Sequence, residues 1–190
     1  VKNNIEVTAV ELDPELAKLY KERFPNDKVI VADAHQYLLE KYNEFDFIWS
    51  SPPCPTHSRA RFWNTKAKRV YADMKLYEEI LLLQHYYKGI WCIENVMTFY
   101  EPLIPPQILQ RHYFWANFYI MPKEFPTEKT CTTKDRERLT ELFGINLDKY
   151  TGIDKRKCLR NCVLPELGLH IFNQARDIET KLDTEQLTIF

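Results

Sequence analysis

The chain has 190 residues and a formal net charge of −1, long enough for one domain with a proper core and too near neutrality for overall charge to attract a polyanion. Its five cysteines are odd in number and irregularly spaced, which excludes a disulfide framework and fits a reducing compartment, the cytoplasm. No apolar run approaches the roughly 18 residues needed to span a bilayer, and Val1-Lys2-Asn3-Asn4 does not read as a signal peptide.

Ile5 to Val10 alternates weakly and is rich in β-formers, and Glu11-Leu12-Asp13-Pro14 then reads as a strand end entering a helix. Asp13 suits the cap and Pro14 the first turn. Leu16, Leu19, Tyr20 and Phe24 recur at helical spacing, Pro25-Asn26-Asp27 breaks the helix, and Lys28 to Ala32 forms a strand closed by Asp33. The pattern repeats with a helix His35 to Lys41, a strand Phe45 to Trp49, a basic loop to about Ala72, a helix Asp73 to Tyr87 and a strand Ile90 to Ile93. This alternation predicts an α/β fold, doubly wound about a mostly parallel sheet. Beyond Tyr100, Pro102, Pro105 and Pro106 mark a long connection, and His112 to Ile120 reads as an aromatic-rich antiparallel strand at the sheet's edge. Pro122 to Lys134 reads as loop, and helices at Asp135 to Phe143 and Pro165 to Arg176 precede a polar tail. There is no internal repeat and no low-complexity segment.

Chemistry-bearing residues fall at the strand ends. The run Phe45 to Trp49 stops at Pro52-Pro53, because proline cannot donate to a ladder, and this leaves Cys54 at a strand's carboxyl end, where open α/β sheets bind ligands. Taken alone, such a cysteine is as compatible with a small buried hydrophobe as with a nucleophile. Glu11, Asp33 and Glu94-Asn95 end three other strands, and a carboxylate there can accept two ribose hydroxyls at once. The loop His57 to Ala72 interleaves Arg59, Arg61, Lys66, Lys68 and Arg69 with Phe62, Trp63 and Tyr71, a mixture suited to phosphate contact and to stacking beside an extruded base. Cys54 with His57, or Cys158 with Cys162, has no second pair to complete a zinc site, so no metal is expected.

In order along the chain, Val10-Glu11-Leu12-Asp13-Pro14, Phe24-Pro25, Asp33, Pro52-Pro53-Cys54, Glu94-Asn95-Val96, Arg111 and Asn161-Cys162-Val163-Leu164-Pro165 resemble the motifs of the cytosine-5 DNA methyltransferases, most closely short phage-type members. The resemblance implies a Rossmann-like fold dependent on S-adenosylmethionine, duplex DNA as partner, a monomer, and a bacterial or phage-infected cell as setting. It implies that the Cys54 thiolate adds to carbon 6 of a flipped cytosine, making carbon 5 nucleophilic toward the sulfonium methyl. Glu94 would hold or supply a proton at ring nitrogen 3, which requires a carboxyl group with a raised pKa in a closed pocket, and Asn95 would support it. Arg111 matches the arginine that holds the cytosine carbonyl oxygen; Gln107 begins that motif and Leu109 replaces its middle arginine. Glu11 matches the ribose ligand, Asp33 the residue at the adenine amino group and Pro53 a pocket wall, while Asn161 and Val163 belong to the closing motif. Ser58 would touch a backbone phosphate beside Arg59 and Arg61.

By the same resemblance, residues 1–120 form the catalytic domain, 121–157 a reduced target-recognition region, 158–178 the closing motif with its helix, and 179–190 a tail. The family's first strand and glycine-rich turn have no counterpart, in keeping with only four glycines, so roughly 20 to 30 residues are expected before Val1. Recognition by short loops, Pro122 to Lys134 and Gly144 to Lys157, implies a short or relaxed target. Gln186-Leu187-Thr188-Ile189-Phe190 resembles the peptide by which bacterial replication proteins dock on the sliding clamp. Two other readings are methylation of transfer-RNA cytosine by the same chemistry and a non-catalytic module for DNA or the clamp.

Overall fold

The computed structural model describes residues 5–59, 70–126 and 135–187. Its elements are β1 (Thr8–Glu11), α1 (Pro14–Arg23), β2 (Lys28–Val31), α2 (Ala34–Lys41), a 3-10 turn (Tyr42–Glu44), β3 (Phe47–Ser50), α3 (Lys75–Tyr86), β4 (Ile90–Val96), β5 (Gln107–Leu109), β6 (His112–Ala116), α4 (Asp135–Phe143), α5 (Lys155–Asn161) and α6 (Pro165–Leu187). β1 pairs with β2 in parallel, Glu11 level with Val31, and β3 pairs with β4 in parallel. A helix joins the strands of each parallel pair, α1 in the first and α3 in the second, which is the α/β, Rossmann-like arrangement that the alternation predicts. Among the described residues the strands form two hydrogen-bonded sheets, β1-β2 and β3-β4-β6-β5.

Two features depart from the sequence reading. β6 pairs with both β4 and β5, so the His112 strand is internal and β5 is the edge. Pro105 and Pro106 stand just before β5, a position that an edge strand tolerates. β4 continues through Glu94 and Asn95 to Val96, placing them opposite Phe114 and Tyr113 rather than beyond the strand end. The antiparallel ladder satisfies their backbone, but a buried carboxyl group inside a strand still needs a side-chain partner.

The chain divides into two compact units, the first made of Val1–Glu40 and Glu128–Pro165. Asp13 caps α1 by accepting from Glu15 N at 2.9 Å, with Pro14 in the first turn. Gly144 takes φ +60 just past α4, the left-handed conformation that commonly ends a helix. Arg23 donates to the carbonyls of Gly144 and Phe143 at 3.1 and 3.5 Å, groups that a helix end otherwise leaves without partners. Glu22 accepts from Lys149 Nζ at 2.5 Å and Tyr150 Oη at 2.6 Å, so the segment after Gly144 is tied to α1. Leu139, Phe143, Leu147, Leu159 and Leu164 form the buried core.

The second unit comprises Lys41–Thr127 and Glu166–Phe190. Ile80, Leu83, Cys92, Ile93, Phe114, Leu167 and Ile171 are wholly buried in it, each large side chain contributing on the order of 1.5–3 kcal/mol by leaving water. Phe172 of α6 meets Phe47 of β3 edge-on, ring centroids 5.3 Å apart. Among the described residues no helix is long and apolar enough to cross a membrane.

Candidate active site

β3 ends at Ser50, and Pro52-Pro53 carry the chain out of the ladder into a turn whose backbone is held from both sides. His57 N and Ser58 N both donate to Cys54 O, at 3.0 and 3.1 Å. Asn95 Nδ2 donates to Pro52 O at 3.0 Å, and its Oδ1 accepts from Val96 N at 2.9 Å. Asn95 is 1% exposed, so its amide is committed to fastening the turn to β4. Farther along, Phe99 N donates to His57 O at 3.0 Å, Ser58 bridges Thr98, and Arg59 Nε donates to Thr98 O at 3.1 Å. Cys54, half-buried, thus rides on a turn stitched to β4 and its continuation. Pro53 is exposed beside it.

Under the turn lies His57, 1% exposed, its Nδ1 2.6 Å from Tyr100 Oη. Tyr77 Oη donates to Tyr100 Oη at 3.3 Å and accepts from Leu103 N at 3.1 Å. Burial pushes the His57 imidazole below its ordinary value, with Asp73 opposing; burial also raises the Tyr100 hydroxyl. The hydrogen-bonded chain His57–Tyr100–Tyr77 thus braces the turn from below.

The partner that Glu94 requires is His112. Its Nδ1 lies 2.6 Å from Glu94 Oε1, with both side chains buried. The registers Glu94↔Phe114 and Val96↔His112 make them diagonal neighbours on one face, within reach of long side chains. Arg111 is the residue before His112, in the two-residue turn joining β5 to β6. Gln110, the other turn residue, takes φ 55, a conformation that costs a non-glycine residue about 1 kcal/mol or more. The ladder on either side enforces it, and Arg111 is half-buried there. Gln107 donates to Phe118 O at 2.8 Å and accepts from Ile120 N at 2.7 Å, so its amide fastens the hairpin. The second unit therefore gathers Glu94 and Asn95 on β4, His112 on the adjacent β6 and Arg111 in the turn just before it, with the Cys54 turn bonded to the same β4.

The first unit carries a second group. Glu11 ends β1, half-buried, and its Oε1 accepts from Asp13 N at 2.9 Å. Asp33 follows β2 and its Oδ1 accepts from His35 N and Gln36 N at 2.9 and 3.3 Å. The parallel pairing brings these two carboxylates to the same end of the ladder. Asn161 closes α5, exposed, and Val163 follows half-buried. One turn earlier, Cys158 has its pKa lowered by the hydrogen bond with Cys162, against burial and the negative charge of Glu11. Glu11, Asp33 and the Asn161–Val163 segment thus belong to one compact unit.

Arg61, most of the His57 to Ala72 loop, the end of the Pro122 to Lys134 loop, and the clamp-like Gln186–Phe190 side chains lie outside the described residues. His112 was missed by the sequence reading, since its partner is 18 residues away across an antiparallel ladder. The signal available was an acidic residue inside an otherwise apolar run, which demands a buried partner.

The model of the C-5 cytosine-specific DNA methylase family matches residues 2–102. Among solved structures, a mutant of Spodoptera frugiperda DNMT2 is similar at 24% identity and a TM-score of 0.32, over 50% of this chain and 29% of that one. The chain therefore spans under a third of that structure's length. No curated protein matches. With the match to the family model running from before β1 past the end of β4, through Glu11, Asp33, Cys54 and Glu94, the chain belongs to the C-5 cytosine-specific DNA methylase family.

Proposed function

We propose that the protein transfers a methyl group from S-adenosylmethionine to carbon 5 of a cytosine in duplex DNA, with Cys54 as nucleophile. The observation that carries this reading is the Cys54 turn fastened through Asn95 to β4, the strand that holds the buried Glu94. A nucleophile and a proton-handling group on one rigid support meet the positional demand of covalent catalysis on a ring.

The first unit suits the methyl donor. Glu11 uses Oε1 on Asp13 N and, among the described residues, keeps Oε2 for a ribose hydroxyl; Asp33 stands at the same ladder end for the adenine amino group, and Asn161 with Val163 completes the set. When bound, S-adenosylmethionine supplies an electrophilic methyl group. The Cys54 thiolate adds to carbon 6 of the base while Glu94 places a proton on nitrogen 3, and Arg111 holds the carbonyl oxygen. The enamine so formed uses its carbon 5 electrons to take the methyl group. Loss of the carbon 5 proton to water, departure of Cys54 and return of the nitrogen 3 proton to Glu94 then restore the aromatic ring. Ser58, Arg59 and Arg61 contribute phosphate contacts.

Duplex DNA containing 5-fluorocytosine tests this directly, because fluorine on carbon 5 cannot leave as a proton and the adduct stalls. With S-adenosylmethionine present, the wild-type chain should form a denaturation-resistant adduct, and Cys54→Ala should form none and lose at least a thousandfold in methyl transfer while still binding DNA. Transfer to transfer RNA in place of duplex DNA would replace the substrate, and full activity in Cys54→Ala would remove the mechanism.

A further inference from the structure

The Glu94–His112 pair contains an asymmetry. His112 Nδ1 is 2.6 Å from Glu94 Oε1, whereas His112 Nε2 is buried with no hydrogen-bond partner among the described residues. A buried N–H without an acceptor is rarer and costlier than a bare acceptor lone pair. The arrangement therefore assigns the imidazole hydrogen to Nδ1, with Nε2 bare and the ring neutral. Nδ1–H then donates to Oε1. Glu94 Oε2 makes no hydrogen bond among the described residues and is left for another group.

We propose that His112 is a positioning residue for Glu94, orienting its carboxyl group and stabilising the carboxylate that appears when the proton moves to the base. The inference rests on the reading of Glu94 as proton donor. In the step, the Oε2 proton passes to nitrogen 3, whose lone pair forms the new N–H bond, and the O–H bonding pair stays on the carboxylate. The Nδ1–H bond to Oε1 is neutral before transfer and charge-assisted after it, so it strengthens as the adduct forms. On elimination of Cys54 the nitrogen proton returns to Oε2 and the pair is restored. His112 keeps its own proton throughout.

Two substitutions separate this role from packing. Asn places its amide where Nδ1 stands, and Gln reaches toward the position of Nε2. In the full chain, His112→Asn should keep kcat for methyl transfer within about threefold of wild type. His112→Gln should lower kcat by about 10- to 100-fold, the worth of one hydrogen bond to a charged group, with KM for DNA unchanged. In a Glu94→Gln background the two substitutions should become equivalent, because the charge that Nδ1–H stabilises no longer forms. Equal effects of Asn and Gln in the wild-type background, both harmless or both disabling, would overturn the proposal while leaving Cys54 chemistry intact. A wild-type chain that neither traps nor methylates would overturn the catalytic reading, and this inference with it.

Discussion

His57 stands three residues after the proposed nucleophile, yet its geometry is that of a brace. It is buried, it meets Tyr100 through Nδ1, and its backbone ties Cys54 to Phe99. Burial lowers its pKa from the ordinary 6.5, so below pH 6.5 the unfolded chain takes up a proton that the folded chain refuses. Its contribution is complete above 6.5 and is lost as pH falls from there toward the lower folded value. The melting temperature should therefore drop between pH 7.5 and 5.5, on the order of a few degrees more in the wild type than in His57→Asn, which keeps a polar group toward Tyr100 without titrating. Thermal scans at both pH values decide it: parallel losses in the two proteins would mean that other groups carry the acid sensitivity. Sequence alone showed His57 as part of a basic loop, since nothing local announces that a polar ring will be covered.

At the scale of elements, legibility followed apolar patterning. Asp13-Pro14 and the run ending at Pro52-Pro53 announce themselves by local chemistry, and α1 and β3 lie where expected. β5 is three residues long, and α5, Lys155–Asn161, has a single buried residue, Leu159, so neither has a periodicity to read. β4 was cut short at Ile93 because a charge normally ends a buried run; the His112 contact that lets the strand continue is non-local. One scarce glycine was equally silent. Gly89 joins α3 to β4 where Tyr87 folds back to donate from Oη to Phe45 O at 2.7 Å. A Cβ at position 89 would clash with the Tyr87 ring and lie 2.7 Å from Asp46 O, and backbone cannot yield as a side-chain tip can. Gly89→Ala should cost about 2–4 kcal/mol in denaturant unfolding, by forcing the α3–β4 connection off the start of β3. A loss under about 0.5 kcal/mol would show that the connection shifts freely.

At the scale of the whole molecule, the proposed functions divide along the boundary between compact units: apart from Pro53, the residues assigned to the methyl donor lie in the first and those assigned to the base lie in the second. This division makes donor binding separable from base chemistry in a measurement that needs no turnover. A ligand that binds only the folded state stabilises it by RT ln(1 + [L]/Kd), about 2.7 kcal/mol at a hundredfold excess over Kd, which for a chain of this size raises the melting temperature by roughly 5–10 °C. S-adenosylmethionine added without DNA should produce that rise in the wild type and in Cys54→Ala, whose missing thiol is assigned to the base and not to the donor. Glu11→Ala removes the proposed ribose ligand and leaves Asp13 N without its acceptor. Its own melting temperature should fall slightly and its ligand-induced rise should shrink to a few degrees or vanish. If Cys54→Ala lost the rise as completely as Glu11→Ala, the donor would depend on the second unit as much as on the first, and assigning it to the ladder end of Glu11 and Asp33 would be wrong.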